Sequence, residues 1–99
     1  MAVGDVQSSM ASTAADAYLD IRPADGEEWV VHTIYHEAEC ELYLSNGTNE
    51  FLFDSDAAGG AWYGLTLHVR YGQYVRIRQK NAAAKWVGYD GIETKEVVV

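Results

Sequence analysis

The chain has 99 residues, 48% of them hydrophobic, a mean hydropathy of −0.19 and a formal charge of −8 from 7 basic and 15 acidic side chains. That length describes one domain that buries roughly 65% of its unfolded surface, enough for a core without metal or disulfide staples. The composition argues against three classes: no apolar run approaches the ~20 residues of a membrane span, the acidity disfavours non-specific nucleic-acid binding, and a single cysteine forms no internal disulfide.

Residues 1–16 are small and polar, including Ser8-Ser9-Met10-Ala11-Ser12-Thr13. They offer little to bury, so the expectation is a flexible or extended N-terminal arm, with the folded domain over residues 17–99. The opening lacks the basic and apolar regions of a secretory signal. Ala17 to Ile21 alternates and reads as a strand, closed by turn chemistry at Pro23 and Asp25-Gly26. Trp29 to Tyr35 has apolar residues at both parities, the pattern of a strand covered on two sides.

Glu39 to Asp54 is the clearest stretch. Cys40, Leu42 and Leu44 alternate with Glu39, Glu41 and Tyr43, Asn46-Gly47 supplies a turn, and Phe51 and Phe53 share one parity. A two-residue turn would pair Leu42 with Phe51; a four-residue loop would pair Leu44 with Phe51. Either keeps both apolar sets inward.

Beyond a loop expected at 55–60 from its composition, strands are expected over Leu65–Val69 and Tyr74–Gln79, then Lys85–Asp90 and Thr94–Val98 on either side of an Asp90-Gly91 turn. In the Tyr74 strand, Val75 and Ile77 face in while Tyr74, Arg76 and Arg78 face out. If that strand pairs with the Lys85 strand, Arg78 lies opposite Trp86 on the surface. About eight short strands at such spacing, with no convincing helix, are the signature of a β-sandwich or a barrel; the fold expected is an all-β antiparallel β-sandwich, jelly-roll-like.

Few residues suggest chemistry. His32 and His36 are about 13 Å apart along a strand, too far to share a metal ion unless the chain turns between them. Asp54-x-Asp56 lacks the remaining ligands of a calcium loop. Cys40 falls on the inward parity between two glutamates, a poor setting for a reactive thiol. There is no nucleophile elbow and no phosphate loop. The sequence therefore predicts no catalytic residues, no metal and no cofactor.

Charge is segregated along the chain. Residues 27–56 hold eight acids and no Lys or Arg; residues 70–85 hold five bases and no acid. Two readings stay open: opposite faces that pair within the molecule, or unlike patches for head-to-tail contact with another copy. Candidate interface residues are Arg70, Arg76, Arg78, Trp86, Glu39 and Glu41. Three tryptophans and seven tyrosines suit sheet packing, a sugar-stacking platform or a protein interface.

The runs Tyr18-Leu19-Asp20-Ile21-Arg22-Pro23, Glu28-Trp29-Val30-Val31-His32-Thr33-Ile34-Tyr35 and Gly88-Tyr89-Asp90-Gly91 resemble small β-sandwich accessory proteins of tailed-phage virions, the capsid decoration (cement) proteins above all. The resemblance covers most of residues 17–95 as a style of sequence, and it carries over no catalytic or ligand-binding residue. It implies a many-copy structural protein, made in the host cytoplasm and placed on the capsid surface. Its partners there would be the major capsid protein and other copies of itself, as a trimer or higher assembly, with neither nucleic acid nor membrane. The alternatives are a tail or head-fibre component, or a small carbohydrate-binding β-sandwich using its Trp and Tyr side chains.

Overall fold

A computed structural model describes residues 2–96. Nine strands follow one another: β1 (Val6–Thr13), β2 (Tyr18–Ile21), β3 (Glu28–His36), β4 (Cys40–Ser45), β5 (Glu50–Asp56), β6 (Gly60–Trp62), β7 (Leu67–Arg70), β8 (Tyr74–Gln79) and β9 (Lys85–Lys95). They form two antiparallel sheets. Sheet A runs β1-β9-β3-β6 with β7 also on β3, and sheet B runs β2-β8-β4-β5.

The pairing has one simple rule. The numbers of paired residues total 98 for Val6 with Ile92, 96 for Tyr18 with Arg78, 98 for Trp29 with Val69, 96 for Ile34 with Trp62 and 95 for Leu44 with Phe51. The first half of the chain thus folds back on the second as one long antiparallel ribbon whose tip is the β4–β5 hairpin. The ribbon then rolls, sending successive strand pairs alternately to sheet A and sheet B. Cross-pairs β3–β9 and β4–β8 close each sheet. This is a jelly roll, a β-sandwich rather than a closed barrel.

The tip takes the four-residue loop. Asn46 accepts hydrogen bonds at its side-chain oxygen from the Thr48 and Asn49 N–H groups, at 2.9 and 2.7 Å, an Asx turn. Leu44 therefore faces Phe51, and a bulge shifts the ladder so that Leu42 faces Asp54. Cys40 and Leu42 are buried as expected, but Phe51 and Phe53 are 59% and 40% exposed. Parity alone put them inward. In the fold β5 is the edge of sheet B and packs chiefly on β4, so no second layer covers it.

Between the sheets lie Trp29, Val31, Ile34, Val69, Val87 and Tyr89 from sheet A and Ile21, Cys40, Leu42, Val75 and Ile77 from sheet B. Trp29 and Tyr89 stack with centroids 6.4 Å apart. The mixed parity of β3 comes from a bulge. Val31 pairs with Gly91 and Thr33 with Asp90, leaving His32 as the extra residue. The slip of one residue brings Val31 and Ile34 to the same side, so β3 is buried on one face rather than two. The bulge also divides its outer neighbour: β7 pairs before it and β6 after it, and the His32 carbonyl accepts the Leu65 N–H at 2.9 Å.

Four other expectations are corrected. Residues 6–13 are not a free arm but the edge strand β1, paired along its length with β9. A backbone ladder needs little apolar area, and its inward residues Gln7 and Thr13 are buried, with the Thr13 hydroxyl donating to the Lys85 carbonyl at 3.0 Å. Asp90-Gly91 does not turn: β9 runs straight through it. Gly91 lies against the β3 bulge, where a Cβ would come within 2.1 Å of the Val30 carbonyl oxygen, so the glycine permits close approach rather than a turn. Of the last expected strand, residues 94–95 belong to β9, while Val97 and Val98 lie outside the described residues. Tyr74 does share the outward parity of Arg76 and Arg78, yet it is buried, lidded by the Arg22 guanidinium 4.3 Å from its ring.

Candidate functional site

The candidate interface residues divide between the two sheets. β8 lies in sheet B and β9 in sheet A, so Arg78 is not opposite Trp86: Arg78 pairs across to Tyr18 and Glu41, and Trp86 to Ser12. The expected register fails because sequential strands here sit in different layers.

The outer face of sheet B brings Arg76, Arg78 and Glu41 together. Arg76 donates to Asp20 on β2 at 2.7 Å and to Glu50 on β5 at 3.0 Å, with its guanidinium 3.8 Å from the Tyr18 ring. Arg78 reaches Asp16 at 3.2 Å and Glu41 at 3.8 Å, and donates to the Tyr43 hydroxyl at 3.4 Å. Lys80 joins Asp16 at 3.1 Å. Lys80 and Arg78 hold the Asp16 carboxyl below its ordinary range. At Arg76 partial burial opposes the charge, but the hydrogen bonds to Asp20 and Glu50 outweigh it and hold the guanidinium above its usual value. Much of the basic run is thus neutralised by acids of the same molecule, the intramolecular reading of the charge pattern. Glu39 is exposed beside this network in the β3–β4 connection, where its carbonyl accepts the Lys80 N–H at 2.9 Å. Arg70 lies apart, on β7 of sheet A opposite Glu28.

His36 marks the corner after β3. Its ring is buried against Trp62, with centroids 4.5 Å apart, and its two nitrogens lie 3.0 Å from the Ala38 carbonyl and 3.6 Å from the Asp56 carboxylate. His32 is exposed at the bulge. Among the described residues no group of three or more His, Cys, Asp or Glu side chains is placed to hold a metal ion. Burial, helped by Asp56, Glu41 and Asp54, pushes the Cys40 thiol up to about 12, so it stays protonated and unreactive.

The outer face of sheet A is different. β9 presents Trp86, Gly88, Asp90 and Ile92 outward, between Met10 and Val6 of β1 and Tyr35 and Val30 of β3. At Gly88 the face has no side chain, and an open trough of about 540 Å³ lies over it, lined by Ser8, Met10, Tyr35, Glu37, Trp86 and Asp90 among others. Gly88 is constrained: a Cβ there would meet the Ser9 carbonyl oxygen at 2.8 Å and the Met10 Cβ at 3.1 Å. Trp86, Met10 and Tyr35 are 48%, 67% and 43% exposed. The Tyr35 hydroxyl donates to Asp90 at 2.6 Å, and Glu37 accepts the Trp86 backbone N–H at 3.1 Å. The Asp90 hydrogen bond, with burial and the Asp90 charge, raises the Tyr35 hydroxyl above its ordinary value.

Sequence reasoning singled out Trp86 but not its neighbours. The signal was present as the alternation Trp86, Gly88, Asp90, Ile92, in which a glycine stands where the outward face would carry a side chain. What the sequence did not show was that Tyr35 and Met10 flank that gap. A third surface is the β5 edge, where Phe51, Leu52 and Phe53 are exposed in succession. Neither the protein-family models nor the curated proteins compared with this chain match it.

Proposed function

We propose that this chain is a virion structural protein, a capsid decoration protein that binds the head lattice of a tailed phage and stabilises it through protein–protein contacts. The β5 edge carries this reading. Among the described residues β5 pairs with β4 alone, and its other side offers unpaired backbone groups beside Phe51, Leu52 and Phe53. Glu50, Asp54, Asp56 and a bulge guard parts of this edge, but three consecutive exposed apolar side chains remain between the acids as a surface for another chain. A protein that spends its working life in an assembly has a use for one. The partners are the major capsid protein and further copies of the chain, in a trimer or higher assembly, and many modest contacts repeated over a lattice give high total avidity. The resemblance in sequence style and the jelly-roll architecture are consistent with this role.

The test is to prepare heads lacking the protein, add it back, and measure occupancy and the temperature of genome release. Saturable rebinding that raises this temperature is expected. Replacing Phe51 and Phe53 together by Ser should weaken rebinding while the isolated domain stays folded, because neither ring belongs to the core. Heads that neither bind the protein nor gain heat resistance would end the proposal.

A further inference from the structure

The trough on sheet A has no part in the edge-to-edge contacts of β5, and its chemistry is of another kind. We infer that it is a binding site for a neutral, hydroxyl-rich ligand, a glycan without acidic groups, with Trp86 as the stacking platform and Asp90 and Glu37 as hydrogen-bond acceptors.

Four observations converge on this class. The Trp86 indole is half exposed at the trough, and no guanidinium or ammonium covers it among the described residues. An exposed aromatic face suits the apolar C–H face of a sugar ring. Gly88 lowers the floor so that a ring can lie against the sheet, and the volume of about 540 Å³ is within the usual range for small-ligand sites. The polar groups are acceptors with spare capacity: Asp90 uses one oxygen for the Tyr35 hydroxyl and Glu37 one for the Trp86 N–H, while a carboxylate offers about four lone-pair sites. Neither carboxylate meets a Lys or Arg among the described residues, in contrast to Asp16, Asp20 and Glu50 on sheet B.

Charge then selects among ligands. Two uncompensated carboxylates on a molecule of formal charge −8 repel phosphates, sulfated glycans and acidic sugars. A cationic guest would answer the charge, but the trough also carries the hydroxyl of Ser8, opposite Asp90 on the neighbouring strand. Paired donors and acceptors beside an aromatic face match sugar hydroxyls, each of which donates and accepts.

The experiment uses the full chain in isolation, so its outcome is independent of head binding. Neutral gluco-, galacto- and manno-oligosaccharides are titrated while the three tryptophan indole N–H resonances are followed by NMR. Sialylated and sulfated oligosaccharides and a trimethyl-lysine peptide are run in parallel. A neutral oligosaccharide should shift the Trp86 resonance saturably and leave that of Trp29, buried in the core, in place. By isothermal titration calorimetry, which reads affinity without the Trp86 resonance, Trp86→Ala and Asp90→Asn should each weaken binding roughly tenfold or more, the loss seen for a central contact, whereas Arg76→Ala on the opposite sheet should leave it unchanged. Absence of any neutral-sugar response at millimolar concentration would overturn the inference. So would affinity unaltered by both trough variants, or tighter binding of the anionic sugars or of the cationic peptide.

Discussion

The two outer faces of the sandwich are built from the same kind of strand and lead to opposite expectations. On sheet B, Arg76, Arg78 and Lys80 stand among Asp16, Asp20, Glu41 and Glu50, and the ions satisfy one another across β2, β8, β4 and β5. On sheet A, Glu37 and Asp90 stand beside exposed apolar side chains and meet no base among the described residues. A face whose charges are answered internally has little left to offer a partner. A face with an exposed indole, a glycine gap and acceptors with free lone pairs has more to offer. The candidate interface residues chosen from charge alone fell mostly on the first face, which shows that segregation along the chain says little until pairing in space is known.

The contrast can be broken most forcefully by removing residues 1–13. This deletes β1, one flank of the sheet A face, together with its ladder to β9 and the buried Gln7 and Thr13. The expected loss of about 2 kcal/mol or more corresponds to a fall in melting temperature of at least about 8–16 °C for a domain of this size. Thermal unfolding measures it, and a truncated protein melting within a degree or two of the full chain would mean that β1 is dispensable.

On sheet B, Arg76→Ala removes two ion pairs and the cation–π contact with Tyr18. The acids are more than a third exposed or close to it, so screening limits the effect to about 1 kcal/mol, or about 4–8 °C in melting temperature. The difference should shrink in high salt, which acts on exposed pairs. Salt-independent destabilisation would point to lost packing of the Arg76 stem instead.

A smaller effect, of the opposite sign, is expected beneath sheet A. Glu93 is fully buried, and burial with the nearby Glu27 charge raises its affinity for a proton above that of an ordinary glutamate at 4.5. The folded state therefore holds this proton more tightly than the unfolded one. Its contribution to stability is complete below pH 4.5 and is lost as pH rises through the folded value. Glu93→Gln removes the charge that forms above that window, so it should raise the melting temperature at neutral pH and flatten its decline above pH 4.5. Superimposable stability–pH curves for the variant and the parent would show that Glu93 ionises freely.

The smallest change in stability should come from Trp86→Ala. Half exposed on the outer face, Trp86 takes no part in the inter-sheet core, and its loss should alter unfolding free energy by no more than about 0.5 kcal/mol. Chemical denaturation reads this directly. A side chain needed by the proposed ligand and not by the fold would set the trough apart from the Arg76 network.

Much of the fold is legible in the residues. Alternation located β2, β4, β5 and β8, and the absence of a helical period with a turn signal about every ten residues gave the sandwich. Asn46-Gly47 announced the hairpin, and Cys40, Leu42, Val75 and Ile77 lie in the core as their parity indicates. The candidate site was less legible. Trp86 was noticed for its type, while Tyr35, Gly88 and Asp90 come from strands distant in sequence whose adjacency depends on the β3–β9 register.

Period two tells which side of a strand a residue takes, and local sequence settles that because successive side chains must point to opposite faces. It does not tell whether anything lies over that side. Phe51 and Phe53 have the inward parity and stay exposed because β5 is an edge without a second layer, and Tyr74 has the outward parity yet is buried under Arg22. The Ser-rich residues 6–13 look like an arm and form a strand, because β9 offers an unpaired ladder. Gly91 looks like a turn and is a point of close approach, because the one-residue bulge at His32 brings the β3 backbone against it. Each of these outcomes was decided by long-range pairing between the two halves of the ribbon, which set layer, edge and register together.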